Sequence, residues 1–504
     1  MRVLPAVLLF ITFLVISEPL AAQFAGGSGT SDDPYQIENL EQLQEMKNYT
    51  DSHFILIGDI DASATSDWNE GEGFIPIGDP DTPFTGTFDG NGHEITGFRI
   101  LRFEEIKLPR DFLGLFGYLQ GAEVKNLTMS GLVVSSGMNT MYVGGIAGYS
   151  DENSVITNVS VEGSVNALVI SGAATKRYFG GIAGMNDGEI YNSRFSGKVG
   201  SSGGVNGNFF GGIAGTNSGV IEQSYALSNS QANGYAGGVT GSNQGTINKS
   251  FSLSPERIHG GFAIGGFAGY NSGIITNSYT HSAVTGGIYG SIGGFVAANS
   301  GQIAYSYSTG SVHQNAVAKG GFAARNTEGT ITGSFWDTDR SETDFGIEEG
   351  DASGLTGLTT SQMTGSNAAQ YMLDLDFGDT WQHTGTYPAL QWQGDDQIYD
   401  PEIDLSVEDP EDEEMPKTIE LLQNYPNPFN ATTTIHFRVN EPVDYATFSI
   451  YNSAGQKVMT LFDEELPALE FELPIDFSHL PSGTYFLKVT STANSDFIQM
   501  SLIK

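Results

Sequence analysis

The sequence predicts an all-β chain: a right-handed parallel β-helix, a solenoid of about eight coils, followed by a small antiparallel β-sandwich. Three observations predict it. One phrase recurs from Gly144 onward: Gly-Gly-apolar-x-(Gly/Ala), then Asn, then Gly-x-Ile, then Ser-aromatic. The segments between its glycines are short, alternate apolar with polar, and are rich in Val, Ile, Thr, Tyr and Phe, as strands are. Glycine at this density is wrong for helix interiors. Finally, residues 418–504 lose the repeat and become alternating strands separated by turn signals.

The phrase starts at Gly144, Gly180, Gly211, Gly237, Gly265, Gly293 and Gly320, spaced 36, 31, 26, 28, 28 and 27 residues apart. A period of this size marks a solenoid, propeller or array, but a propeller blade needs four strands in ~40–50 residues. The spacing here suits three short strands and their turns. One such unit cannot stand alone. Each buried apolar side chain contributes ~1.5–3 kcal/mol, while ordering the backbone costs ~1–2 kcal/mol per residue. Stacking closes the gap, because each coil pairs with the coils above and below. Parallel crossovers are right-handed.

Aligned phrases give columns. Asn186, Asn217, Asn243, Asn271, Asn299 and Asn326 form one, read as a structural ladder in which each carboxamide donates to one neighbour and accepts from the other. Ile190, Ile221, Ile247, Ile275, Ile303 and Ile331 form the next, followed by Ser193, Ser224, Ser250, Ser278, Ser306 and Ser334. Beside the serines runs an aromatic column, Tyr225, Phe251, Tyr279 and Tyr307, with Phe195 and Phe335 one place late; it reads as inward packing. The Gly144 repeat fits loosely, with extra residues at Asp151–Glu152 before Asn153 and Ile156. Leu113–Gly117 and Val124–Leu127 read as one earlier coil.

Gly114-Leu115-Phe116-Gly117 and the GG-x-x-G phrases resemble the GLUG repeat of bacterial surface proteins, among them adhesin-like proteins and non-catalytic regions of surface peptidases. The flanks resemble the same group: Gly29–Ile37, Ile57–Asp61 and Phe84–His93 before the repeats, and Phe335–Asp337, Gly357–Thr360 and Tyr387–Trp392 after them. The resemblance covers residues 26–394. It implies an N-terminal cap at 23–110, repeats at 111–340 and a C-terminal cap at 341–394.

The ends supply an address. Arg2, the apolar run Val3–Ile16 and Leu20-Ala21-Ala22 read as a secretory signal peptide over residues 1–22. That run is too short for a membrane span, and the expected mature chain has none. Residues 395–417 carry eleven carboxylates between Asp395 and Glu414 with no Lys or Arg, and read as an extended acidic linker. The sandwich strands are expected at Thr433–Val439, Ala446–Tyr451, Lys457–Leu461, Glu470–Ile475, Gly483–Thr490 and Phe497–Ile503. This Ig-like module resembles the type A C-terminal sorting domain of the type IX secretion system. The resemblance rests on Asn424, Pro426, Asn427, Pro428 and Phe429, on Gly455 in Tyr451–Val458, on Gly483 and Tyr485 in Leu480–Phe486, and on Lys504. It implies the type IX machinery as a partner, and export to the outer-membrane surface or the medium of a Gram-negative-type cell.

Chemistry is sparse. The chain has no cysteine, so neither disulfides nor thiols are available. A net charge of −38 argues against nucleic acid and anionic membranes as partners. His93-Glu94-Ile-Thr-Gly97 begins like a zinc-protease motif but lacks the second histidine. Asp59, Asp61, Asp79, Asp81 and Asp89 are oxygen donors of the kind Ca²⁺ prefers, without EF-hand spacing; turn formation is the competing reading, and no other cofactor is expected. Trp68, Phe74, Trp336 and Trp381 are aromatic candidates for glycan or protein contact. No catalytic residue emerges. The reading is an adhesin-like or structural surface protein that binds extracellular glycan or a host or cell-surface protein. The alternative is a polysaccharide lyase or glycoside hydrolase, for which Glu256-Arg257-Ile258-His259 is the suggestive cluster.

Overall fold

In the computed structural model the described residues are 24–102, 112–136, 142–167, 176–201, 208–232, 234–254, 256–286, 290–313, 316–394, 419–439, 443–452, 457–466, 470–478, 480–491 and 495–503. The signal peptide, the acidic linker, Gly455 and Lys504 lie outside them. The chain forms two compact units, Met1–Leu405 and Ser406–Lys504, each described by itself.

The first unit is a parallel β-solenoid. Eight strands form its first face, from Phe112–Leu113 through Tyr178–Gly180 to Ala318–Gly320. Nine form the second, from Phe116–Leu119 through Ala183–Asn186 to Ile347–Gly350. The third face is longer than three short strands per coil would give. In most coils it bends into two limbs, for example Glu189–Tyr191 and Arg194–Ser201. The bend is a left-handed residue just before each serine: Asn192, Gln223, Lys249, Asn277 and Tyr305 have φ of +44°, +48°, +47°, +49° and +53°. A non-glycine residue there costs ~1–2 kcal/mol. The serine column helps offset that cost. The N–H groups of Ser193, Ser224, Ser250, Ser278 and Ser306 each donate to the hydroxyl one coil on, at 3.1–3.3 Å. Each hydroxyl in turn donates to a carbonyl two residues back, as Ser278 Oγ does to Thr276 at 2.8 Å.

Apolar side chains fill the lumen. The isoleucine column is buried there, and so is the third residue of each phrase: Ile146, Ile182, Ile213, Val239, Phe267, Phe295 and Phe322. Phe267, Phe295 and Phe322 stack with centroids 4.7 Å apart. Two glycines mark close approaches of the backbone; the last two coils carry Ala297 and Ala324 at the second of these positions. A methyl on Gly181 would meet Phe195 Cγ at 2.1 Å in the lumen and the Gly212 carbonyl of the next coil at 2.2 Å. One on Gly215 would meet the Phe179 nitrogen at 2.5 Å, where the second face backs onto the first face of the preceding coil.

The asparagines form a continuous buried file on the second face. Each Nδ2 donates to the Oδ1 of the next coil at 2.7–2.9 Å, from Asn186 through Asn217, Asn243, Asn271 and Asn299 to Asn326. Asn326 Nδ2 ends the file on the Asp351 carbonyl at 2.6 Å. At the other end, Ser150, not Asn153, stands in register with Asn186. The inserted residues therefore follow the column position instead of preceding it.

The aromatic column corrects the inward reading. Tyr225, Phe251, Tyr279, Tyr307 and Phe335 are in register, stacked at 4.6–5.0 Å through Tyr307, but they form a core separate from the lumen. Period-two alternation points Ala226 inward, so the preceding tyrosine points outward. Phe195 pairs with Ala226 and belongs to the lumen, leaving Arg194 in the outer column. Residues 359–394 cover this column as a strap. Met363, Met372, Trp381, Tyr387 and Leu390 pack on the rings, and Trp392 Nε1 reaches the Lys249 carbonyl at 2.9 Å.

The caps extend the stack. Tyr35–Ile37, Phe54–Leu56 and Thr87–Asp89 run parallel in series onto Glu123–Ser136, so the N-terminal segment already supplies coil strands. Its helix Leu40–Glu45 starts at Asn39, whose side chain accepts from the Gln42 N–H. At the far end Ile347–Gly350 and Leu355–Leu358 pair with the last repeat. Trp336 and Trp381 are buried, Phe74 is buried, and Trp68 packs against the core, so the expected surface aromatics serve the caps.

The second unit packs a three-stranded antiparallel sheet (Ile419–Tyr425, Thr432–Val439, Glu470–Asp476) with a four-stranded one (Lys457–Leu466, Val443–Asn452, Gly483–Ser491, Ser495–Leu502). Ile419–Tyr425 is a strand that the alternation count did not include. Phe437 and Phe448 meet between the sheets at 4.6 Å.

Asn243→Ala removes the middle rung of the carboxamide file and leaves the buried Asn271 without the donor opposite it. A loss of about 2–4 kcal/mol is expected in denaturant unfolding of the solenoid, from the missing bonds and the buried, unpaired polar atom left behind. A change below about 1 kcal/mol would mean that the file adds little.

Candidate functional site

The phrase leaves one residue per coil pointing outward on the first face, two places before its first glycine. There Phe112, Tyr142, Tyr178, Phe209 and Tyr235 stand in register and stack at 4.8, 5.1, 5.3 and 4.9 Å, with interplanar angles of 8–14°. All five are partly exposed. Because the planes are nearly parallel at the coil spacing, the rings cover one another's faces and turn their edges outward. Phe262 closes the file differently: it lies 5.3 Å from Tyr235 at 63° and is 49% exposed.

A second, shorter file stands on the second face. Tyr118 and Tyr149 stack at 4.6 Å, followed in register by Met185. The two files touch: Phe112 lies 5.5 Å from Tyr118, and Tyr142 lies 5.9 Å from Tyr149. Gly148 permits this, since a methyl there would fall 2.9 Å from Phe112 Cα. Tyr149 donates its hydroxyl to Asp187 Oδ2 at 2.5 Å. Burial, then that carboxylate, holds the Tyr149 hydroxyl far above the usual tyrosine range. Tyr118 is raised by burial and by Asp151, and Tyr178 and Tyr235 by burial. Lys176 places its ammonium 5.9 Å from the Phe209 centroid. The surface is a strip of ring edges and hydroxyls flanked by carboxylates and one lysine.

Sequence reasoning missed these files. The columns of the phrase run forward from its first glycine, whereas the longer of these files stands before it. The signal was present as Phe112, Tyr142, Tyr178, Phe209 and Tyr235.

The carboxylates considered for calcium are dispersed among separate turns. Asp59 accepts from the Glu94 N–H and His93 Nδ1, both at 3.0 Å, and Asp61 accepts from the Ser63 N–H. Asp79 accepts from the N–H groups of Asp81 and Thr82, and Asp89 from the Asn91 N–H and Asn126 Nδ2. Among the described residues no group of three or more His, Cys, Asp or Glu could hold a metal ion. His259 stands in register with Gln231 and Thr285, and burial lowers its pKa. Glu256 is exposed, with its N–H on Asn229 Oδ1.

In the second unit Asn424, Pro426, Asn427, Phe429 and Tyr485 make the following contacts, while Gly455 and Lys504 lie outside the described residues. Asn424 Nδ2 donates to Thr433 Oγ1 at 3.1 Å, and that hydroxyl donates to the Pro426 carbonyl at 2.9 Å. Asn427 Oδ1 accepts from the Ser501 N–H at 2.9 Å. Phe429 is buried 4.9 Å from Phe477, while its backbone pairs with Ser501 and Ile503 at 2.9 Å. Tyr485 donates to the Pro481 carbonyl, at the turn before Gly483. The Asn-Pro-Phe segment thus fastens the last strand of the chain.

Residues 423–504 match the family model described as the secretion system C-terminal sorting domain, and residues 139–166 match the GLUG motif. This is a secreted surface repeat protein. Part of the chain is similar to Halomucin of Haloquadratum walsbyi, 40% identical over 148 residues, which is 28% of this chain and 2% of that protein. A protein named as a Gly-rich membrane protein, from Evansella cellulosilytica, is 39% identical over 142 residues, 28% of this chain and 16% of its own length. The chain therefore spans a small fraction of both curated relatives. No solved structure matches it. Among the described residues no helix is long and apolar enough to cross a membrane.

The raised hydroxyls carry a prediction. A tyrosine whose folded pKa lies above its unfolded value contributes stability below about pH 10 that is lost as pH rises beyond it. Tyr149, Tyr279, Tyr307 and Tyr387 should stay un-ionised in the folded protein near pH 11 and titrate only as the chain unfolds. Absorbance titration of the folded and denatured protein checks this; coincident curves would refute it.

Proposed function

We propose that this protein is a non-catalytic surface solenoid, adhesin-like or structural, that binds extracellular glycan or protein along its outer aromatic files. The observation that supports this reading is the file Phe112–Tyr142–Tyr178–Phe209–Tyr235 with its partner Tyr118–Tyr149. Half-exposed aromatic surface, continuous over several coils, favours association. Ring edges carry the positive end of the quadrupole and meet oxygen atoms well. The net charge of −38 favours neutral or cationic partners over acidic ones. The sorting module is the export address, and the type IX machinery its partner.

The binding test uses the purified mature chain on an array of extracellular glycans and matrix proteins, with released reducing sugar measured in parallel. Binding without release is expected. Tyr142→Ala with Tyr178→Ala should weaken it by about 2–4 kcal/mol in total, as hot-spot aromatics do. Sugar release, or binding indifferent to both substitutions, would overturn the reading. For export, removal of residues 418–504 should abolish surface display. Phe429→Ala should destabilise the sandwich by about 3–5 kcal/mol and reduce display. Surface fractionation distinguishes these outcomes from unchanged display.

A further inference from the structure

The strap over the outward aromatic column covers a buried polar cluster that simple covering does not require. Leu227 and Leu253 occupy the position two places after the aromatic residue in their coils; the next three coils place His281, Thr309 and Asp337 there. His281 is buried, and its Nδ1 lies 2.6 Å from Thr309 Oγ1. Its ring packs between Tyr279 at 4.9 Å and Tyr307 at 5.8 Å on the solenoid side and Tyr387 at 5.3 Å on the strap side. The strap's hold is concentrated around it. Tyr387 donates to Asp337 Oδ2 at 2.5 Å, Thr360 Oγ1 donates to the same oxygen at 2.7 Å, and Tyr307 donates to the Pro388 carbonyl at 2.5 Å. Gln393 donates to the Tyr279 hydroxyl at 2.7 Å. Arg340, whose Nε donates to the Thr309 carbonyl at 3.3 Å, brings a positive charge to the same place.

We infer that residues 359–394 are an acid-released strap with His281 as its proton sensor. A proton on this ring must be carried in a desolvated aromatic pocket beside the Arg340 charge, and opening the strap returns the ring to water. Burial, then Arg340, holds the imidazole well below its ordinary range of 6.5. A histidine whose folded pKa is depressed contributes stability that is complete above the unfolded value. That stability is lost as pH falls from about 6.5 toward the folded value. Asp337 faces the same strap and accepts from Tyr387, Thr360 and the N–H groups of Asp339 and Arg340. Release bares Tyr225, Phe251, Tyr279, Tyr307 and Phe335, a second aromatic file on another face that shares two coils with the outer one and continues past it.

Hydrogen exchange of the mature chain between pH 7.5 and 5, corrected for intrinsic rates, tests this. Exchange in residues 359–394 should accelerate by up to about tenfold per pH unit below 6.5, the limit for one linked proton, while the coils at 178–217 keep their protection. A hydrophobic dye should bind over the same range. His281→Gln should flatten the dependence, and His383→Gln, at an exposed strap position, should leave it unchanged. A wild-type strap equally protected across the range, or His281→Gln following the wild type, would overturn the inference. If His281→Gln does not fold, the imidazole resonances of the wild type decide. A ring that protonates together with strap exchange supports the strap sensor; a ring that protonates with the strap still protected refutes it.

Discussion

In-register parallel stacking governs the rest of this molecule. Each coil must repeat its backbone path closely enough for like residues to meet, and the buried carboxamide file enforces that. An Asn Nδ2 that missed its Oδ1 on the next coil would leave polar atoms unpaired in a nearly dry interior. The demand fixes the second face. The serine ladder fixes the bend of the third, where left-handed residues would otherwise be costly. Glycines fix the closest approaches, at Gly181 against Phe195 and at Gly215 against the preceding coil. Loop length can vary freely only outside these anchors, which is where the repeat spacing varies.

Stacking also sorts the aromatics. A ring on one coil finds a ring about one coil spacing away whether it points in or out. Identical columns therefore arise on both sides of the wall. Phe267–Phe295–Phe322 fill the lumen, Tyr225–Phe251–Tyr279–Tyr307 lie under the strap, and Phe112 to Tyr235 face outward. Of these three columns the outer file is the one that stays partly exposed. Since its ring faces are used on one another, it offers edges and hydroxyls, a different surface from the open ring faces of single exposed tryptophans. The strap shows the alternative fate of such a file, covered by the chain's own segment and closed with buried polar bonds.

Export and display are built into separate modules. In the sorting sandwich the Asn-Pro-Phe segment and the last strand hold each other through Asn427, Phe429 and Ser501. Residues that look like a linear signal in the sequence are thus parts of one folded end of the domain.

The sequence alone makes the solenoid, most of its register and its export address legible. Those follow from periodic Gly, Asn, Ile and Ser positions, each tied to a local backbone need, and from motif residues adjacent in the chain. It also held the outer aromatic file in plain letters. Which side of the wall a ring faces depends on strand alternation counted from a bend that no residue type announces, since Asn, Gln, Lys and Tyr all occupy it. Tertiary contacts turn Tyr225 and its column outward and Phe195 inward, and they fold residues 359–394 back over the column. The reason is physical: a period of two fixes relative orientation within a strand, and contacts between segments more than 100 residues apart, such as Gln393 with Tyr279, fix the rest.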